Sequence, residues 1–315
     1  MSLTISASAG TSLILTIVIG KTEKSKVMNR ITTTLCFALL FLSSAVTGQG
    51  LEKHFKNKHK SEYFVFHYND DVTRVKSLAE FCDGFIDVID TEFFKARFKY
   101  PIHAYVLKDR DSYKSFLAEM EMFAQKQTAG LFLIGMDSFL TYEEAGYGTF
   151  AHEIMHPLAR VNLVSAPPWT QEGIPAFFEM FFGYWSKNKL VLRFGFHNPR
   201  RIWQMGEKIL TLDLESIVKA KRDSSTSEMW MVAQFLHKHG KLKEYMKLVG
   251  SNKKNGYSTF IEAAFEKRMF RIIPEWETYL HEVYKSRDKI FRIPASQIFD
   301  SKEQYERFMK ANGLQ

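Results

Sequence analysis

The sequence predicts an α+β fold, and three observations carry that expectation. Between residues 61 and 136, short runs rich in aromatic and β-branched residues alternate with stretches of helical periodicity. An amphipathic helix follows, carrying an H-E-x-x-H pattern at His152, Glu153 and His156. Beyond residue 198 the periodicity is helical almost throughout.

Ahead of these elements, residues 1–48 read as an address label. Leu13 to Ile19 is apolar but too short to cross a bilayer. From Met28 the chain restarts with Arg30, an apolar stretch through Leu42 and small residues before Gln49. That is the pattern of a secretory signal peptide cleaved near Gly48. Met28 is then the expected start and residues 1–27 an upstream extension, with an uncleaved membrane anchor as the alternative. Cys36 lacks the small-residue setting of a lipoprotein site.

The formal net charge is +8, and residues 1–48 hold four basic residues and one acidic residue, which leaves +5. Four of those charges sit in KHFKNKHK, Lys53 to Lys60. The body is therefore nearly neutral, which argues against nucleic acid as a partner. Residues 49–60 are expected to be a flexible basic leader, suited to touching anionic envelope lipids or polymers. With Cys82 alone left after cleavage, no intramolecular disulfide forms, and a 45% hydrophobic composition must supply the core.

From Ser61 the elements follow in order. Tyr63 to Tyr68 (YFVFHY) has the aromatic density of a strand, and Val72 to Phe98 sets Val75, Leu78, Phe81, Cys82 and Phe85 on one helical face. Ile102 to Leu107 predicts a second strand, and Asp111 is the expected cap of a helix containing Tyr113, Phe116 and Leu117. Leu131 to Met136 predicts another strand, either internal or at a sheet edge that offers its backbone to an extended peptide. Phe150, Ile154 and Leu158 at i, i+4 and i+8 give the metal-motif helix a core face. After Pro167 and Pro168, Thr170 is the expected cap of the next helix. A hairpin is expected to turn at Lys187–Lys189, and Asn198-Pro199 opens a helix with Arg200, Arg201 and Trp203. Segments from Leu212, Ser224 and Ser258 predict further helices, and residues 293–315 are expected to be a charged surface helix or tail. No repeat or low-complexity linker divides residues 61–292, which are expected to form one unit in two lobes.

The chemistry concentrates in the motif helix. His152 and His156 stand four apart, so both imidazoles point one way, with Glu153 about 100° round the cylinder beside them. Two neutral imidazoles on adjacent turns supply half of a tetrahedral zinc site, and the neighbouring carboxylate is placed to take a proton from an activated water. Chance would put such a motif in roughly two of a hundred chains of this composition, as a solvated face or a buried histidine pair. A catalytic site also wants a third protein ligand. Glu172 is expected in the first turn of the next helix, where the positive helix end favours a carboxylate. The pattern with a third histidine six residues on is absent, because Asn162 and Ala159 stand where it needs His and Gly. Two prolines complicate this: Pro157 disfavours helix at His156, and Pro175 requires its helix to begin near Glu172.

HEIMH, followed by Trp169, Glu172 and Gly173 in a W-x-x-E-G setting with Ala176, Phe177 and Phe178 behind it, resembles the gluzincin zinc metallopeptidases. The closest likeness is to the group labelled peptidase MA-like. It extends weakly over about residues 61–285, and only these two segments are specific. The resemblance implies a zincin-like fold, with a small mixed N-terminal lobe, an active-site helix and a mainly helical C-terminal lobe. It implies Zn2+ on His152, His156 and Glu172, Glu153 as general base, and a peptide or protein substrate. Similar proteins place an acidic residue at the position of Glu179 to steady a ligand histidine; a surface glutamate closing an apolar stretch is the other reading. Related proteins often carry a tyrosine just before the helix corresponding to Glu228–Lys238, where this chain has Thr226. The oxyanion donor therefore stays open among Tyr184, His197, Arg200 and Tyr245. The expectation is an exported metallopeptidase, periplasmic or extracellular, touching membrane only through an uncleaved signal or the basic leader. An inactive zinc-binding envelope protein of the same fold and a zinc hydrolase of non-peptide bonds are the alternatives.

Overall fold

Alternation along the strands sets one sheet between two apolar layers. The computed structural model describes residues 48–96, 101–122, 128–133, 137–219 and 224–314. After a short helix, Gly48–Glu52 (α1), come Asn57–Lys60 (β1), Phe64–Tyr68 (β2), Val72–Glu92 (α2), Ile102–Leu107 (β3), Arg110–Glu119 (α3), Gly130–Leu133 (β4) and Ser138–Tyr142 (β5). The five strands form one sheet in the order β1-β2-β3-β5-β4. β2, β3 and β5 run parallel, and β1 and β4 pair antiparallel at the two edges. Residues two apart share a face, so β3 serves both layers. Ile102, Ala104 and Val106 join Phe64, Phe66 and the apolar face of α2. Tyr105 and Leu107 join Leu51, Phe55 and α3 residues Tyr113, Phe116 and Leu117.

The motif helix, Tyr147–Asn162 (α4), continues through Pro157. Phe150, Ile154, Met155 and Leu158 are fully buried, at 0% exposure. Burying each stabilises by roughly 1.5–3 kcal/mol, which together outweighs the ~3 kcal/mol cost of an internal proline. His156 accordingly keeps its helical place. Thr170–Phe177 (α5) follows, with Trp169 at its N-cap position. Thr170 does not cap it, because its hydroxyl is 2.9 Å from the Tyr245 hydroxyl in the core. Phe181–Ser186 (β6) and Lys189–Phe194 (β7) form the expected hairpin, turning through Lys187 and Asn188 at φ of 48° and 64°. Pro199–Met205 (α6), Leu214–Val218 (α7), Thr226–Lys238 (α8), Leu242–Gly250 (α9), Phe260–Phe265 (α10) and Met269–Ile290 (α11) complete the helical part. Asn198 caps α6, accepting from Arg200 N–H with Pro199 in the first turn.

The basic run expected as a flexible leader is instead built into the fold. β1 pairs with β2, and Leu51 and Phe55 are buried beneath it. Its lysines suit an edge strand, where charge discourages further pairing. Of the surface helix or tail expected over residues 293–315, the structure has the helix, and it is tied into the fold. Gln297–Phe299 (β8) pairs parallel with β6, and Lys302–Ala311 (α12) sets Phe308 and Met309 against Phe182. Its apolar residues are few but fall on one side, a pattern that composition conceals. No strand is expected over Ser138–Tyr142, yet β5 lies between β3 and β4 with all five residues buried. A strand covered on both faces shows no alternation to read.

Asp109 rather than Asp111 caps α3, accepting from the Ser112 N–H at 2.8 Å. α2 closes at Glu92, short of the expected Phe98. The signal-peptide pattern with Met28 and Cys36, and residues 97, 98 and 134–136 of the expected elements, lie outside the described residues. Among the described residues, no helix is long and apolar enough to cross a membrane.

Candidate metal centre

One turn of α4 separates His152 from His156, and the first turn of α5 brings Glu172 to them. The two Nε2 atoms are 3.1 Å apart. Glu172 Oε2 is 3.6 Å from His152 Nε2, and Oε1 is 3.9 Å from His156 Nε2. With zinc–nitrogen bonds of about 2.0–2.1 Å, tetrahedral ligands sit about 3.3 Å from one another. One donor atom from each of the three residues lies within 4.8 Å of the others, so together they could hold one ion.

Each histidine has a group behind it. Glu179 is not a surface residue: its Oε1 is 2.8 Å from His152 Nδ1, a close contact bent away from a straight hydrogen bond. Asn198 Nδ2 and Arg201 Nε each donate to Glu179 Oε2 at 3.0 Å, and Arg201 Nη2 donates to Oε1. Burial opposes ionisation of Glu179, but the Arg201 guanidinium and His152 hold its carboxyl down at about 2. An ionised Glu179 on Nδ1 favours the His152 tautomer whose Nε2 lone pair faces the site. Against burial and the charge on His152, which push the His156 pKa down, a backbone hydrogen bond to the Gln171 carbonyl acts to raise it. Pro175 explains the availability of that carbonyl, since proline has no N–H to close the helical bond four residues back.

The electrostatics favour added positive charge. Burial opposes a proton on His152, yet the carboxylates of Glu172 and Glu179 raise its pKa. His156 is pushed well down by burial and by the charge on His152. Burial raises the Glu172 carboxyl, and the two histidines reverse that, leaving it lowered. A dication between two imidazoles and a carboxylate satisfies the same demand that favours a proton on His152.

Glu153 points into this setting with no ion-pair partner among the described residues. It is 4% exposed, and its Oε2 has no hydrogen-bond partner. Burial pushes its carboxyl up to about 7; His152 opposes the shift, and Glu172 and Glu179 reinforce it. Gly130, the first residue of edge strand β4, packs directly against it. A Cβ at Gly130 would lie 2.5 Å from Glu153 Oε1. Two residues along β4, Phe132 stacks on the His156 ring at 5.2 Å.

A cleft of about 1050 Å³ opens over these groups. Its walls include Thr128 to Gly130, His152, Glu153, Glu172 and Glu179, then Arg200, Arg201 and Lys208, then Ser225 to Glu228. Ile293, Ala295 and Ser296 close it from the C-terminal segment. Ser296 ties that segment down, its hydroxyl donating to the Glu179 carbonyl at 2.5 Å and accepting from Phe181 N–H at 3.1 Å.

The structure brings His152, Glu153, His156, Glu172 and Glu179 together. It disperses the expected oxyanion donors. Tyr184 packs on Tyr305, His197 contacts the Tyr279 hydroxyl at 3.2 Å, and Tyr245 is buried against Thr170; Arg200 alone of the four lines the cleft. Sequence reasoning missed Arg201, Asn198, Gln171, Gly130 and Ser296 as parts of the site. Arg201 and Asn198 had a readable signal, because a buried Glu179 needs partners and the helix opened by Asn198-Pro199 supplies them nearby. The other three act through backbone or close approach, which residue type does not announce. Set against known proteins, the chain matches no family model and no curated relative.

Proposed function

We propose that the protein is a zinc-dependent metallopeptidase of zincin-like architecture, in which Glu153 is the general base. One observation carries the reading: the donor atoms of His152, His156 and Glu172 lie within 4.8 Å of one another beside the buried Glu153 carboxylate, and His152, Glu153 and Glu172 line one cleft. His152, His156 and Glu172 would hold Zn2+, which supplies Lewis acidity toward a water and a scissile carbonyl.

The chain's own residues account for the remaining steps. Glu153 takes a proton from the attacking water and returns it to the leaving amine. That exchange is best served by a group whose pKa lies near the working pH, as burial provides here. Glu179, fixed by Arg201 and Asn198, orients His152, and the Gln171 carbonyl orients His156. β4 lies at the sheet edge and enters the cleft at Gly130, so an extended peptide is expected to add to it as a further strand. The wall carrying Arg200 and Ser225 to Glu228 faces this cleft and is where the donor for the developing oxyanion is sought. Action outside the cytoplasm rests on the signal-peptide pattern from Met28 to Gly48 alone.

The test follows cleavage of a random peptide library by mass spectrometry. Zinc-loaded wild type should cleave, a chelator should stop cleavage, and added zinc should restore it. Glu153→Gln should bind zinc and cleave nothing. Zinc-loaded wild type that leaves the library intact, or cleavage that survives Glu153→Gln, would overturn the proposal.

A further inference from the structure

We propose a second metal site on the sheet face opposite α4, where Glu52, His67 and His103 bind a transition-metal dication such as Zn2+. β2 and β3 pair in parallel with Val65 opposite His103 and His67 opposite Tyr105, so these four residues share a face. His67 Nε2 is 2.9 Å from His103 Nδ1, and Glu52 Oε1, at the end of α1, is 3.9 Å from that same Nδ1. These separations of 2.9 and 3.9 Å are close to the 3.1 to 3.9 Å found among His152, His156 and Glu172. All three donor atoms lie within 4.8 Å of one another.

The surroundings suit an ion that keeps a water. His67 is fully buried at 0% exposure and stacks on Tyr105 at 4.6 Å, which fixes one ligand rigidly. The side chains of His103 and Glu52 are 34% and 31% exposed, which opens the rest of the coordination sphere to solvent. Two imidazoles and one carboxylate favour zinc, copper or nickel over magnesium or calcium, which prefer all-oxygen sites. Lys58 Nζ holds Glu52 Oε2 at 2.5 Å and leaves Oε1 directed at the histidines. Its charge opposes a dication, so its removal should tighten the site. Among the described residues neither His67 Nδ1 nor His152 Nδ1 makes a hydrogen bond, but His152 Nδ1 has the Glu179 carboxylate 2.8 Å away to support it. Loss of such support typically costs about 10–100-fold in metal affinity, and the second site is expected to be weaker by that order.

The full-length chain, stripped of metal, is titrated with Zn2+ and the bound ion counted in wild type, His103→Ala, Glu52→Gln, Lys58→Gln and the pair His152→Ala/His156→Ala. Wild type should bind two zinc ions with separate affinities. His103→Ala and Glu52→Gln should lose or weaken the looser ion, Lys58→Gln should tighten it, and the α4 pair should lose the tighter one. A single ion in wild type that neither His103→Ala nor Glu52→Gln disturbs would overturn this site and leave the α4 site standing. A single ion lost with His103→Ala but kept in the α4 pair would do the reverse. No bound zinc in any chain would overturn both.

Discussion

Gly130→Ala tests how Glu153, the proposed general base, is held. Gly130 lies in β4 with no positive φ, so alanine fits the backbone and the perturbation is steric alone. The new Cβ would meet Glu153 Oε1 at 2.5 Å, Cγ at 2.7 Å and Cδ at 2.8 Å, where ordinary contact begins at 3.4 Å. The carboxylate must retreat by about 0.9 Å, and displacements of about 1 Å in a reacting group cost on the order of 10²-fold in rate. Overpacking of this kind also costs roughly 1–3 kcal/mol of stability. Gly130→Ala should therefore keep full zinc binding, unfold at lower denaturant, and lose about 100-fold in kcat on a peptide found in the library screen. Adding Glu153→Asp removes a methylene from the crowded side chain, so the double variant should regain stability while staying slow. A kcat within threefold of wild type, with stability unchanged, would refute the placement of Glu153 against β4.

Other consequences are checked more briefly. Arg201→Met removes the guanidinium from the buried Glu179 carboxylate and leaves it only His152 and Asn198, which should cost up to about 3–5 kcal/mol; chemical denaturation should show that loss, and adding Glu179→Gln should recover part of it. Thr170→Val leaves the buried Tyr245 hydroxyl without its partner, which should cost about 1–3 kcal/mol in the same assay. Burial, with Lys238 and His237 nearby, lowers His197 to about 4 from an ordinary value of 6.5. Between those limits the unfolded chain takes up a proton that the folded chain refuses, so stability is retained above pH 6.5 and falls as pH drops toward 4. At ~1.4 kcal/mol per pH unit the loss is about 3 kcal/mol. The urea midpoint should fall less steeply over this range in His197→Gln than in wild type, and an identical slope in both would count against it.

What the sequence disclosed was local, and what it hid was tertiary. His152 and His156 converge because four residues make a helical turn, and Glu172 reaches them because two prolines and Thr170 mark the next helix start. The hairpin at Lys187–Asn188 and the helix after Asn198-Pro199 were legible from turn and cap chemistry of the same short range. β5 was hidden because burial on both faces erases alternation. The roles of residues 49–60 and 293–315 were hidden because charge masks a few well-placed apolar groups such as Leu51, Phe55, Phe308 and Met309. Pro157 and Pro175 read as hazards to the site. In the fold, core burial carries α4 past the first, and the second leaves Gln171 a carbonyl for His156.

Anomalous X-ray diffraction at the zinc edge, from crystals of the full chain grown with Zn2+, tests the central claim most directly. The account predicts a peak about 2.0–2.2 Å from His152 Nε2, His156 Nε2 and a Glu172 oxygen, with Glu153 beside the ion but not bonded to it. No peak at α4, or a peak bonded to Glu153 or Glu179 in place of Glu172, would contradict it.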